Sequence, residues 1–341
     1  MNGKRYRVAQ WATGHSGMRS LQGVLEHPDF DLVGVYVYSQ SKAGRDAGEL
    51  CGKPPAGVVT TRDIEDIIAA EPDCVLYMPT RANLDDLCRL LAAGANIVTL
   101  VSDFHHVASL DSDVRERIEA ACERSGASLY ATGPSPGWIT EIFPLALTAL
   151  QRRLDRLVIE EFADLSQRDS PEMLANLFGG DPEAVDAAGF AHHVSRAFVP
   201  SLRQLADGLA VPLDEEFAIT GEVATATKAL KIGGLTIEAG TIAAWRFEVA
   251  GLRGGEPFMI FRSLWYVTKE LDVDWDLRGH SAHVVIDGDA PFDIDIRFTH
   301  EDGAWPGYTV PVCLNAVPSV CDAPQGIRTT VDLPRIVAKF A

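Results

Sequence analysis

The run Gly14-His15-Ser16-Gly17-Met18 places two glycines three apart directly after a short apolar stretch, "YRVAQW" (Tyr6 to Trp11). Glycines so placed let a diphosphate come within hydrogen-bond distance of bare backbone N–H groups at a helix mouth, where the helix dipole also favours an anion. Thr13 to Met18 is therefore read as cofactor-binding, with backbone groups of Gly14, His15, Ser16, Gly17 and Met18 holding the diphosphate; a plain glycine turn is the alternative. The run is shorter than a full Gly-x-Gly-x-x-Gly, because Ala12 stands where the first glycine would be. The next apolar stretch ends Val37-Tyr38-Ser39-Gln40-Ser41-Lys42, where NAD-binding chains carry an acid for the ribose hydroxyls. Here there is no carboxylate. Ser39 and Lys42 suit a 2'-phosphate, so NADP(H) is the expected cofactor, with NAD(H) as the alternative. Pro79 and Thr80, after "CVLYM", would touch the nicotinamide-side ribose. Asn315 either donates to the cofactor amide or caps a helix.

These residues need strands and helices to bring them together. "DLVGVYVY" (Asp31 to Tyr38), "CVLYMP" (Cys74 to Pro79), "NIVTLV" (Asn96 to Val101) and "SLYATG" (Ser128 to Gly133) read as strands buried on both faces. Between them lie amphipathic helices. In "NLDDLCRLLAAG", Leu84, Leu87, Leu90 and Leu91 share a face, Asn83 is placed to cap the start and Gly94 the end. In "DSDVRERIEAACERSG", Val114, Ile118 and Cys122 point inward and Gly126 is the stop. Repeated strand-helix units predict an α/β fold, a Rossmann-type doubly wound parallel sheet over residues 1–150. Residues 151–310 predict a second, substrate-binding and dimerisation domain of α+β type, with a mixed, largely antiparallel sheet. In "AAWRFEV", Trp245, Phe247 and Val249 oppose Arg246 and Glu248; in "FDIDIRF", apolar residues alternate with Asp293, Asp295 and Arg297. Residues 311–341 regain helical character and are expected to return to the first domain.

The chain has 341 residues, enough for about two domains. It has 47% hydrophobic residues and no apolar run near the ~18 that span a bilayer. No signal-peptide pattern follows Met1, so a cytoplasmic protein without a membrane partner is expected. A formal charge of −18 with no basic cluster argues against nucleic acid. The six cysteines form no CxxC pair and read as reduced thiols. His105-His106 and His192-His193 diverge on any regular element, and His280 and His283 would face opposite sides of a strand, so no metal is expected.

"VAQWATGHSGMRSL" resembles the start of proteins with a dihydrodipicolinate-reductase-like N-terminal domain. "YATGPSPGWITEIFPLAL" and "LNAVPSVCDAPQGIRTTVDLP" are similar to segments of the 2,4-diaminopentanoate dehydrogenase and native amine dehydrogenase group. The likeness to dihydrodipicolinate reductase itself stops at the cofactor domain, because that enzyme's substrate loop is absent. The resemblance implies hydride transfer from NAD(P)H to a C=N bond of a small amine or carbonyl substrate, as amine oxidation or reductive amination, by a homodimer. It implies that Pro134, Ser135 and Pro136 border the nicotinamide and that Trp138 shapes the pocket. The family's acid/base glutamate follows the strand matching "NIVTLV", where this chain has Ser102-Asp103. Asp103 is the proposed catalytic residue, with Ser102 in the acid position if the alignment shifts by one; Asp103 also suits a turn cap. Trp265, in "FRSLWY", lines a substrate pocket or sits in sheet core. Two other classes remain open: an NADP(H)-binding sensor or scaffold without catalysis, and a carbonyl or alcohol oxidoreductase using Tyr130 or Tyr266 as its acid.

Overall fold

The computed structural model describes residues 4–168, 170–299 and 307–340. Along the chain run β1 (Tyr6–Trp11), α1 (His15–Glu26), β2 (Phe30–Tyr36), α2 (Ala47–Leu50), α3 (Ile64–Ala69), β3 (Cys74–Tyr77), α4 (Leu84–Ala92), β4 (Asn96–Thr99), α5 (Ser112–Ser125) and β5 (Ser128–Ala131). Then follow α6 (Phe143–Thr148), β6 (Leu154–Asp164), α7 (Pro171–Leu177), α8 (Ala187–Gly208), β7 (Phe217–Thr225), β8 (Leu230–Ile232), β9 (Leu235–Ile237), β10 (Ile242–Arg253), β11 (Glu256–Tyr266), β12 (Ser281–Gly288) and β13 (Phe292–Arg297). The chain closes with α9 (Pro311–Cys321) and β14 (Gly326–Arg328).

Two compact units form, one from Met1–Trp138 with Tyr308–Ala341, the other from Ile139–Gly307. The division thus falls at Ile139 rather than at 151, within the stretch that follows β5.

The first unit is a parallel sheet in the order β14-β5-β4-β3-β1-β2. Every residue of β3 and β5 is buried, because helices cover both faces, and the Ser128 hydroxyl is satisfied by Asn96 and the Val320 carbonyl. The strand order reverses between β1 and its two neighbours, the place at whose carboxyl edge open parallel sheets take ligands. Asn83 accepts from the N–H groups of Asp85 and Asp86 at the start of α4, and Gly126 ends α5 at φ 82°, as their types predict. In the closing segment the described helix is confined to α9, which packs on β3, β4, β5 and α1. A Cβ on Gly23 of α1 would lie 2.4 Å from Leu314 Cδ1 of α9, so that glycine sets how close the two helices come.

The second unit has a mixed sheet in the order β13-β12-β6-β11-β10-β7, parallel only between β6 and β11. One face packs on α8, with Phe198 stacked on Phe261 at 4.1 Å between ring centroids. The opposite face carries a row of charges. His283 bonds Glu160 and Asp293 at 2.8 Å each, and Arg262 reaches both Glu160 and Glu248. His280 lies ahead of β12 rather than inside it, so the two histidines are not opposed members of one strand. The pair of carboxylates raises the pKa of His283 against the opposing effect of its burial.

Candidate active site

β1 delivers the chain to Ala12, which has φ 72°. That left-handed conformation costs an L residue roughly 1–2 kcal/mol, which is why a glycine commonly occupies the place. The Ala12 carbonyl lies against the first turn of α1, where Gln10 Nε2 donates to it at 3.0 Å and to the Trp11 carbonyl at 3.2 Å. Gln10 is wholly buried. The next carbonyl, of Thr13, accepts from Lys42 Nζ at 2.7 Å. Two successive carbonyl oxygens of the turn are thus each held by a side-chain donor.

The mouth of α1 is the counterpart of this arrangement. Gly14 is its N-cap, with no side-chain cap and no acid in the first turn. A Cβ on Gly14 would meet nothing within 4 Å, so the backbone there is open to a ligand. The N–H groups of His15, Ser16 and Gly17 precede the first intrahelical bond, which runs from Met18 N–H to the Gly14 carbonyl at 2.8 Å. This corrects the expectation for Met18: its N–H is spent inside the helix, and its side chain packs with Leu21, Val35 and Val37. Gly17 also differs from the expectation. A Cβ there would fall 2.1 Å from the Ala12 carbonyl oxygen, so its bareness serves the closure of α1 on the turn rather than approach of a ligand.

At the end of β2, Ser39 and Ser41 are exposed and their hydroxyls share a 2.7 Å bond. Lys42 is half-buried, and its bond to Thr13 makes it a strut under the diphosphate turn rather than a free partner for a 2'-phosphate. Arg62, passed over in the sequence, supplies a cation instead. A parallel bridge from Tyr36 to Thr61 brings it back to this loop, where its Nη1 donates to Gln40 Oε1 at 2.5 Å. Nothing local signals that return.

The other candidates of the first unit follow neighbouring strands at the same edge. Pro79 is half-buried and Thr80 exposed after β3. Ser102 is half-buried and Asp103 exposed in a single tight turn, Ser102–His105, after β4, with Phe104 and His105 buried behind them. After β5 come Pro134, Ser135, Pro136 and Trp138, all half-buried; Trp138 N–H donates to the Gly133 carbonyl at 2.7 Å. Gly137, at φ 124°, lies close on Thr132, so a side chain there would be strained. Asn315 is half-buried within α9, whose N-cap is Val310, which removes the capping alternative.

In the second unit, Trp265 packs edge-on against Phe247 at 5.0 Å and beside Phe190 at 6.3 Å. It is half-buried and takes part in the aromatic packing between sheet and helix. Tyr266 is buried with its hydroxyl on the Arg278 carbonyl, and burial raises its pKa. In the first unit the Tyr130 hydroxyl bonds Thr330 Oγ1 at 3.2 Å. Both proposed alcohol-type acids are therefore engaged structurally. Glu141 is a buried carboxylate that sequence reasoning did not single out, although it stands inside "TGPSPGWITEIF". It accepts from Ser201 Oγ at 2.6 Å, and Ser201 also bonds Thr140.

A parallel sheet with an uncapped glycine mouth after its first strand, joined to a mixed antiparallel unit, defines a Rossmann-type dehydrogenase architecture. No family model matches the chain. It is 30% identical over 343 residues to an amine dehydrogenase of Streptomyces virginiae, covering 95% of each chain. A solved amine dehydrogenase from Mycobacterium smegmatis superposes with a TM-score of 0.78 at 19% identity, over 98% of this chain and 97% of that one. The chain belongs to the amine dehydrogenase family.

Proposed function

We propose that the protein is an NAD(P)H-dependent amine dehydrogenase, acting on C=N and CH–NH2 bonds of a small amine or carbonyl substrate. The observation that carries the reading is the whole-length relation to an amine dehydrogenase in a chain whose α1 has no side-chain cap and no acid in its first turn. Bound there, the dinucleotide supplies or accepts the hydride. The chain's own residues do the rest. N–H groups of His15, Ser16 and Gly17 would hold the diphosphate, and Gln10 and Lys42 donate to the Ala12 and Thr13 carbonyls beside it. Ser39 and Ser41, with Arg62 beside their loop, favour NADP(H) over NAD(H), since hydroxyls and a guanidinium suit a phosphate and no acid faces the ribose. Pro79, Thr80, Pro134 and Asn315 complete the cofactor contacts, and Ser102, Ser135, Pro136 and Trp138 border the substrate. Asp103, exposed at the carboxyl end of β4, serves as the acid/base that delivers protons to the substrate nitrogen. The family resemblance further supports a homodimer; among the described residues no helix is long and apolar enough to cross a membrane.

The test is NADPH consumption with ammonia and a panel of ketones and aldehydes, for the wild type and Asp103→Asn. Turnover that falls at least ~100-fold in the variant, the ordinary range for a general acid/base, supports the assignment. NADPH binding without turnover on any member of the panel overturns the activity, and unchanged turnover in the variant overturns the role of Asp103.

A further inference from the structure

Cys74 opens β3 and Cys321 closes α9, and the fold sets them side by side although most of the chain separates them. The Cys321 thiol approaches the Asp73 carbonyl at 3.6 Å, the peptide group that leads into Cys74. Val75 and Tyr77 pack with residues of α4 and α5, so strand alternation turns Cys74 to the other face of the sheet, where α9 packs on β3. Cys74 is wholly buried, whereas Cys321 is half-exposed at the end of its helix. Of the two residues Cys321 is the one partly open to solvent, and Cys74 lies behind it.

We propose that Cys74 and Cys321 form a reversible oxidation site, converted to an intramolecular disulfide by a low-molecular-weight disulfide of the glutathione type. In the first step the Cys321 thiolate attacks one sulfur of the small disulfide. That S–S bond breaks, one small thiolate leaves and takes up a proton, and Cys321 carries a mixed disulfide. In the second step Cys74 gives its proton to solvent and attacks the Cys321 sulfur, expelling the second small thiol. Two protein thiols are oxidised and one small disulfide is reduced to two thiols, so electrons and protons balance. Burial holds the Cys74 thiol well above its ordinary pKa, which makes the second step the slower one and protects the pair from casual oxidation. The product pins α9 to an interior strand of the parallel sheet.

The experiment treats the reduced, full-length protein with oxidised glutathione, blocks free thiols by alkylation, and maps the peptides by mass spectrometry. The expected result is a Cys74–Cys321 crosslink, loss of two of the six alkylatable thiols, and recovery of both with dithiothreitol. In Cys74→Ala, Cys321 should retain a glutathione adduct; in Cys321→Ser, Cys74 should remain unmodified in the folded protein. A persistent adduct on wild-type Cys321, a crosslink between two chains, or a wild-type Cys321 that glutathione leaves untouched would each overturn the proposal. Because the wild-type protein gives the deciding readout, a variant that fails to fold does not spare the idea.

Discussion

α1 and α4 both begin after parallel strands of one sheet, yet their first turns are opposite in character. α4 starts with Asn83 bonded to two backbone N–H groups, and Asp85 and Asp86 follow, so its positive end is satisfied within the chain. α1 starts with a bare Gly14, has no acid in its first turn, and has the nearby Ala12 and Thr13 carbonyls held by Gln10 and Lys42. The difference teaches that an open helix mouth here is maintained by neighbouring groups, since an uncapped end forgoes roughly 1 kcal/mol that an Asn or Asp would contribute. α2 and α3 behave as α4 does, with Asp46 and Asp63 as caps. α5 and α9 also lack a side-chain cap, but α5 carries Asp113 in its first turn and α9 opens on Pro311, which has no N–H to satisfy.

Converting one mouth into the other should have the largest effect. Gly14→Asp has room for its side chain and an extended backbone, so it should fold and gain a few tenths of a kcal/mol in stability. It places a carboxylate where a diphosphate would sit, and calorimetry should show NADPH affinity falling at least ~100-fold, as like charges in contact demand. Retained affinity would break the comparison. A middle effect is expected from Gln10→Leu, which leaves the Ala12 carbonyl without its donor at a cost of about 1–3 kcal/mol. Urea unfolding should register the loss. Weaker binding of ADP with unchanged binding of adenosine would tie it to the diphosphate turn. The smallest effect belongs to Asn83→Ala at the capped helix: about 1 kcal/mol less stable by the same unfolding measurement, with NADPH affinity unchanged.

Much of the fold was legible because its signals are local. β1 runs over the stretch "YRVAQW", and α4 and α5 stop at glycines with positive φ. The second sheet's alternation in β10 matches its burial, with Trp245, Phe247 and Val249 inside. The closing segment was read as more helical than it is, because β14 takes its place at the sheet edge by pairing with β5, a partner far away in sequence. At the site, the glycine turn was visible but the division of labour between its glycines was not. Gly17 answers to the Ala12 carbonyl, a contact that exists only once Ala12 has turned to positive φ. Trp265 illustrates the reverse: its aromatic run left pocket wall and sheet core both open, and its contact with Phe190 of α8 is set by packing alone.

Residue order alone determined where strands and helices lie, that a glycine turn follows the first strand, and that no carboxylate stands between Val37 and Lys42 after the second. These follow from side-chain periodicity and from glycine's missing Cβ, which act over a few residues. Tertiary structure alone decided that Lys42 holds the Thr13 carbonyl, that Arg62 returns to the Ser39 loop, and that Cys321 comes to the start of β3. Those partners are chosen by sheet order and helix packing, and a hydrogen bond between groups distant in sequence leaves no periodic trace in either neighbourhood.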